Sequence, residues 1–317
     1  MNRFLFICIL TTLALFSSLK VKAQFDVHFT QYWDLKGFYN PAWAGQTDKL
    51  NISGTYSMQM MNFTHAPRSM YFGADMPFSL FNKKHGVGAG FFNEGIGLFR
   101  NQRVWLQYSY KHQIRKGRLG IGLQVGFINV SFDPANIYLG EDQQDDPAFP
   151  TQQQSGMGLD LGIGGFYSHP KFYVGFSGQH LTSPTVEFGT QESGTTNEFK
   201  VDPMLYFTGG YNIQTRNPLV SIQPSLLLQS NLTSVRLDMT GRVLYTFNER
   251  VFVGGLTYSP GVSVTISLGA TIRGVTVGYA TSKIGIGNGS HDLVVSYAMD
   301  INLFKKSKNK HKSIRIL

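Results

Sequence analysis

The sequence predicts an all-β chain, a transmembrane antiparallel up-and-down β-barrel of about fourteen strands. Three observations carry this reading: a two-residue alternation of apolar and polar residues, an export signal with no membrane helix behind it, and connections sorted by length and charge. The alternation is plainest in Val262-Ser263-Val264-Thr265-Ile266-Ser267-Leu268-Gly269. It returns about every eighteen residues from near Leu50 to Phe304. Strand side chains point alternately to opposite faces, so each such strand has one apolar face and one wet face. Hydrocarbon is the simplest sink for so much one-sided apolar surface, and closure leaves no strand edge unpaired.

The first element is a signal. Met1-Asn2-Arg3 is a basic start, Phe4 to Phe16 is mostly apolar, and Val21-Lys22-Ala23 puts small residues where signal peptidase reads them. Residues 1–23 therefore form a signal peptide, with cleavage expected after Ala23. Cys8 lies inside it, so the mature chain carries no cysteine, which excludes disulfides and thiol catalysis. No later run reaches the roughly eighteen apolar residues of a membrane helix.

Three parts follow: an aromatic lead-in (24–49), the strand array (50–304) and a basic tail (305–317). The strand cores are expected at Leu50–Met58, Arg68–Phe78, Gly86–Phe92, Gln102–Ile114, Leu119–Phe132, Met157–Tyr167 and Phe172–Leu181. The second half continues with Pro203–Gln214, Leu219–Gln229, Ser234–Thr246, Val251–Tyr258, Val262–Ile272, Val275–Thr281 and Asp292–Leu303.

The connections alternate. One set is short and mostly basic, as in Lys83-Lys84-His85, Arg115-Lys116-Gly117-Arg118, His169-Pro170-Lys171 and Arg273-Gly274. The other contains every long loop and is acidic or neutral, including 133–156 and 182–202. Short periplasmic turns and long outer loops are the habit of outer-membrane barrels. With an even strand number this places both termini in the periplasm. The formal charge of +9 does not indicate nucleic-acid binding. Three cations leave with the signal and six more crowd the tail, leaving 19 basic against 19 acidic residues between Gln24 and Phe304.

The lipid face can be read strand by strand. Leu119, Ile121, Leu123, Val125 and Phe127 oppose Gly120, Gly122, Gln124 and Gly126. Val104, Leu106 and Tyr108 oppose Arg103, Trp105 and Gln107, and Val235, Leu237 and Met239 oppose Arg236, Asp238 and Thr240. Charge thus falls on the wet face; at the bilayer midplane it would cost about 2–4 kcal/mol. Aromatic residues near strand ends suit interfacial girdles. Inward glycines suit strong curvature and a narrow lumen.

Candidates for chemistry are weak. The histidines have no metal-ligand spacing. Glu141-Asp142-Gln143-Gln144-Asp145-Asp146 lacks the glycine-anchored geometry of a calcium loop and reads as a solvated outer loop. Ser290-His291-Asp292 cannot form a triad within itself, because strand neighbours face opposite ways. The glycine runs 86–90 and 285–289 lack the helix and Lys of a phosphate loop. No catalytic, metal or cofactor residue is assigned.

Specific words appear at the two ends of the mature chain. Phe29-Thr30-Gln31-Tyr32, then Asn40-Pro41-Ala42-Trp43-Ala44-Gly45, resembles the opening of the PorP/SprF family of outer-membrane proteins. Further words match in order: Asp75-Met76-Pro77, Gly95-Ile96-Gly97, Leu119-Gly120-Ile121-Gly122-Leu123, Phe172-Tyr173-Val174-Gly175-Phe176-Ser177 and Gly289-Ser290-His291-Asp292. Trp43 stands where the family usually has tyrosine, and Asp292 where it has glutamate. The resemblance implies a non-enzymatic component of type IX protein secretion or gliding motility. Its implied partners are the secretion machinery or a peptidoglycan-linked periplasmic protein, and the C-terminal domain of an exported protein or adhesin, besides outer-membrane lipid.

Candidate partner-binding residues are Tyr32, Asn40, Pro41, Trp43 and Gly45 in the lead-in, Glu141, Asp142, Asp145 and Asp146 in the acidic loop, and Lys305, Lys306, Lys308 and Lys310 in the tail. The lead-in aromatics have two open placements: within or against the lumen, or as an interfacial anchor. A passive or substrate-specific porin is the alternative function, and a barrel hydrolase a further one.

Overall fold

The computed structural model describes residues 27–133, 153–189, 196–283 and 289–301. Its strands form one closed antiparallel sheet in up-and-down order, the fourteen-strand transmembrane barrel that the alternation predicts. The first half comprises β1 (Lys49–Met58), β2 (Arg68–Leu80), β3 (Lys83–Ile96), β4 (Phe99–Ile114), β5 (Gly117–Phe132), β6 (Gln154–Ser168) and β7 (Phe172–Gln179). A separate hairpin, β8 (Thr185–Gly189) and β9 (Thr196–Lys200), follows. The wall resumes with β10 (Met204–Tyr211) and its short continuation β11 (Ile213–Gln214). It ends with β12 (Val220–Ser230), β13 (Val235–Phe247), β14 (Arg250–Ser259), β15 (Ser263–Ile272), β16 (Val275–Lys283) and β17 (Ser290–Asp300). Closure comes from β1 pairing with β17, Lys49 opposite Asp300 through Met58 opposite His291.

The short connections are tighter than the sequence reading placed them. Leu80 pairs with Lys83, Phe247 with Arg250 and Ile272 with Val275, each across a two-residue turn. Phe81 and Asn82, Asn248 and Glu249, and Arg273 and Gly274 all take positive φ. Paired positive φ is the geometry whose twist matches the flanking strands. The ladder therefore runs to the turn, and Lys83, Lys84 and His85 lie on β3 rather than in a connection. The β8–β9 hairpin departs from the expected long loop 182–202, which is polar and has little apolar periodicity.

The faces sort as expected. Ile121, Leu123, Val125 and Phe127 are each about half exposed on the outer wall, while Gly120, Gly122, Gln124 and Gly126 between them are buried. Among the described residues no helix is long and apolar enough to cross a membrane. The hydrophobic core is not between two sheets. It sits in the lumen, where lead-in residues pack on Tyr71, Phe92, Trp105, Met204, Tyr206, Leu227 and Val294 of the wall.

Candidate functional site: a plug in the lumen

Residues 27–48 form the plug, and their local structure follows from a few residues. Backbone bonds from Asp34 to Gln31 (3.1 Å) and from Leu35 to Tyr32 (3.2 Å) make turns that lead into α1, the single helical turn Lys36–Tyr39. Asn40 stops it with extended backbone, as a residue before proline is biased to do. Its Oδ1 then accepts from Ala42 N at 2.9 Å, capping the 3-10 turn Pro41–Trp43, in which Pro41 fills the first position. Gly45 leaves this turn at φ +63°, a conformation that strains residues with a Cβ.

The plug runs along the whole lumen. Thr30 is fixed near the long-loop end, where its N and Oγ1 donate to Asp292 at 2.7 and 2.5 Å. At the short-turn end Gln46 Nε2 donates to the Arg118 carbonyl at 3.0 Å, and Arg118 Nη1 returns a bond to the Gln46 carbonyl at 2.6 Å. Asp48 then pairs with Lys84 (2.9 Å) and Arg118 (3.2 Å). Burial raises the Asp48 carboxyl, but bonds from Lys84 and Arg118 outweigh it and hold the group below the ordinary carboxylate range. The lead-in thus enters the described structure at the end opposite to the one from which β1 starts.

Between these ends, the plug's backbone is met by wall side chains. Ser177 Oγ donates to Tyr39 O (2.5 Å), Gln179 Nε2 to Phe38 O (2.7 Å), Gln107 Nε2 to Gly37 O (2.8 Å), Ser109 Oγ to Ala44 O (2.6 Å) and Lys111 Nζ to Ala42 O (2.5 Å). Asp75 accepts from Gly45 N at 2.9 Å. These side chains replace the ladder partners that an irregular segment lacks, as buried peptide groups require. Phe38 is the centre of the apolar contact, with ring centroids 5.1 Å from Phe29 and from Tyr71 and 6.0 Å from Trp105. Each fully buried plug aromatic contributes at most about 4 kcal/mol by area.

The inward glycines have a second role besides curvature. A Cβ on Gly122 would overlap the Pro41–Ala42 backbone, and one on Gly86 the Ala44 carbonyl. Glycine lets the plug lie directly on the wall.

The five lead-in candidates all belong to this plug. Tyr32 is 1% exposed, and its hydroxyl bonds Ser225 (3.0 Å) and Thr240 (3.1 Å). Asn40 Nδ2 donates to the carbonyls of Gly165 (3.0 Å) and Phe176 (3.1 Å). Pro41 lies over Gly122, and Gly45 beside Asp75. Trp43 is half-buried, edge-on to Phe166 at 5.1 Å. Of the two placements left open by the sequence, the lumen is the one adopted. Glu141, Asp142, Asp145, Asp146, Lys305, Lys306, Lys308, Lys310 and the signal segment 1–23 lie outside the described residues.

Sequence reasoning missed Asp75, Ser177, Gln179 and Lys111 as plug partners. A signal was present: Asp75 and Ser177 sit in the same words that carry the resemblance. Asp292 does too. It points inward to Thr30, whereas His291 points outward, its Nδ1 2.6 Å from the Tyr279 hydroxyl. The adjacent trio therefore forms no joint catalytic group. Among the described residues no group of three His, Cys, Asp or Glu side chains is placed to hold a metal ion.

The plug does not fill the short-turn half evenly. Beside β7, β10 and β12–β16 it leaves a vestibule of about 500 Å³, reaching the turn His169-Pro170-Lys171. Trp33, Asp34, Lys36 and Trp43 face it from the plug, and Tyr173 and Arg242 from the wall.

A family profile described as "Type IX secretion system membrane protein PorP/SprF" matches residues 21–297. No curated protein matches. Similar solved structures include the CymD monoaromatic hydrocarbon channel, at 13% identity over 89% of this chain and 95% of that chain, with a TM-score of 0.46. The Acinetobacter baumannii outer membrane protein Omp33 is 7% identical over 80% of this chain and 100% of that one, with a TM-score of 0.43. The KdgM porin is 9% identical over 78% and 98%, with a TM-score of 0.35.

Proposed function

The chain belongs to the PorP/SprF family of type IX secretion system membrane proteins, and on that premise we propose that it is a non-enzymatic docking subunit of the outer membrane. It holds an exported protein or adhesin at one end of the barrel and the secretion or gliding machinery at the other. The observation that carries this reading is the plug: a lumen crossed by Phe29, Tyr32, Phe38 and Tyr39, each at most 1% exposed, is a scaffold rather than a conduit.

In this reading the long loops face outward. Glu141, Asp142, Asp145 and Asp146 meet the C-terminal domain of the exported chain. The short basic turns face the periplasm with the C-terminal end of the chain, whereas the lead-in begins at the long-loop end beside Asp292, which corrects the expectation that both termini share the periplasmic side. Lys305, Lys306, Lys308 and Lys310 attract the machinery or a peptidoglycan-linked protein. Two of the short-end cations, Lys84 and Arg118, are engaged with Asp48.

The test pairs two measurements on the tagged, detergent-purified protein. Silence in planar bilayers together with co-purification of secretion-machine or adhesin chains supports docking. Steady ion current without such partners replaces it with the porin reading.

A further inference from the structure

We propose that the vestibule at the short-turn end is a binding site for a carboxylate carried on an apolar or aromatic body. The proposal stands on the cavity's own geometry and does not depend on the docking role.

The lining is rich in donors. Three cations, Lys36, Lys171 and Arg242, face a single carboxylate, Asp34. Three lining donors are more than nine-tenths buried: Gln31 and Ser267 at 3% exposed and Arg242 at 8%. Gln31 Nε2, Ser267 Oγ and Arg242 Nε have no hydrogen-bond partner. Unmet buried donors are costly, and a guanidinium most of all, so this wall of the cavity carries a surplus of donors over acceptors.

Two of these groups converge. Arg242 on β13 is paired with Gly255 on β14, and Gly255 with Ser267 on β15. A Cβ at Gly255 would touch both Ser267 Oγ and the Arg242 stem, so the two side chains lie together above that glycine. One face of the guanidinium is stacked on Trp33, 4.7 Å from the ring centroid, and the side chain lines the vestibule. A flat guanidinium edge matches the two oxygens of a carboxylate.

The body of the ligand is specified by the remaining walls. Trp43 and Tyr173 flank Lys36, whose Nζ stands 4.8 and 5.1 Å from their ring centroids. A cavity of about 500 Å³ is within the size range of small-molecule sites.

The full chain in detergent supplies the assay, because Trp33 and Trp43, two of its three tryptophans, line the cavity. N-acetylphenylalanine is the probe and its carboxamide the control, with tryptophan emission as readout. Saturable binding of the acid at millimolar concentration is expected, with the amide at least about tenfold weaker. Arg242→Met is expected to weaken the acid by a similar factor and to leave the amide unchanged. Ser267→Ala, a smaller change in the wall, is expected to weaken the acid a few-fold should the Arg242 variant fail to fold.

Absence of saturable binding, equal binding of acid and amide, or displacement by equimolar inorganic phosphate would overturn the assignment. A free small carboxylate and the carboxyl terminus of a protein chain share this chemistry. A phenylalanine-ending hexapeptide acid separates them: tighter binding than the probe identifies a chain end, and equal or weaker binding a free small acid.

Discussion

The barrel wall and the plug bury opposite parts of the chain. In the wall the backbone is satisfied by the ladder, and the apolar side chains stay on the outside, with Ile121, Leu123 and Phe127 half exposed. In the plug the side chains are buried, with Phe29 and Phe38 at 0% and 1% exposed, and the backbone depends on donors from Gln107, Ser109, Lys111, Ser177 and Gln179. A repeated, local bonding scheme tolerates exchange of one side chain for another of the same polarity. A scheme of single long-range bonds does not. The difference explains why the distinctive words of this sequence gather where plug and wall meet.

The sharpest way to break the comparison is to remove the plug. Deleting residues 27–48 is expected to leave a folded barrel, since the ladder does not use them, and to raise its conductance. Planar-bilayer recording reads the current, and retention of β-sheet circular dichroism checks the wall. Loss of the barrel would mean that the wall is not self-sufficient.

Next come two substitutions at neighbouring positions of β5. Leu123→Arg puts charge on the outer face and is expected to cost about 2–4 kcal/mol in lipid vesicles while leaving the plug seated. Gly122→Val, one residue away, places side-chain atoms in the Pro41–Ala42 backbone and is expected to cost about 1–3 kcal/mol through the plug alone. Urea titration measures the first. Hydrogen exchange confined to residues 27–48 separates the second from a general loss of stability.

A single-bond test is smaller. Asp292→Ala leaves the buried Thr30 N–H without its acceptor and is expected to cost about 1–3 kcal/mol, localised at the long-loop end of the plug. Protease sensitivity near Thr30, with Asp48 still protected, is the expected pattern.

The smallest effect is at the other end. The folded Asp48 carboxyl lies below its unfolded value, so its contribution is present above the ordinary carboxylate range and is lost as pH falls through the depressed folded value. Exchange at residues 46–48 is expected to rise on acidification below about pH 4, and Asp48→Asn to abolish that dependence.

Much of the wall could be read without the structure, because it depends on a period of two that each strand declares locally. Val104 out and Trp105 in follows from alternation alone. The exceptions are local too. Lys83 and Lys84 looked like a turn because they are charged, yet the Phe81–Asn82 turn needs only two residues. The plug was legible as a set of unusual words but not as a place. Nothing local in Asn40 or Asp75 says that one meets β6 and β7 and the other holds Gly45.

The sequence by itself determined a one-faced strand array, its strand number and which side chains face outward, since pleating couples each residue only to its neighbours. Only the tertiary structure decided that the aromatic lead-in closes the lumen and that Arg242, Ser267 and Gln31 line one cavity beside it. Those contacts join residues up to some 260 positions apart, such as Thr30 and Asp292 at a separation of 262, and exist only once the sheet has closed.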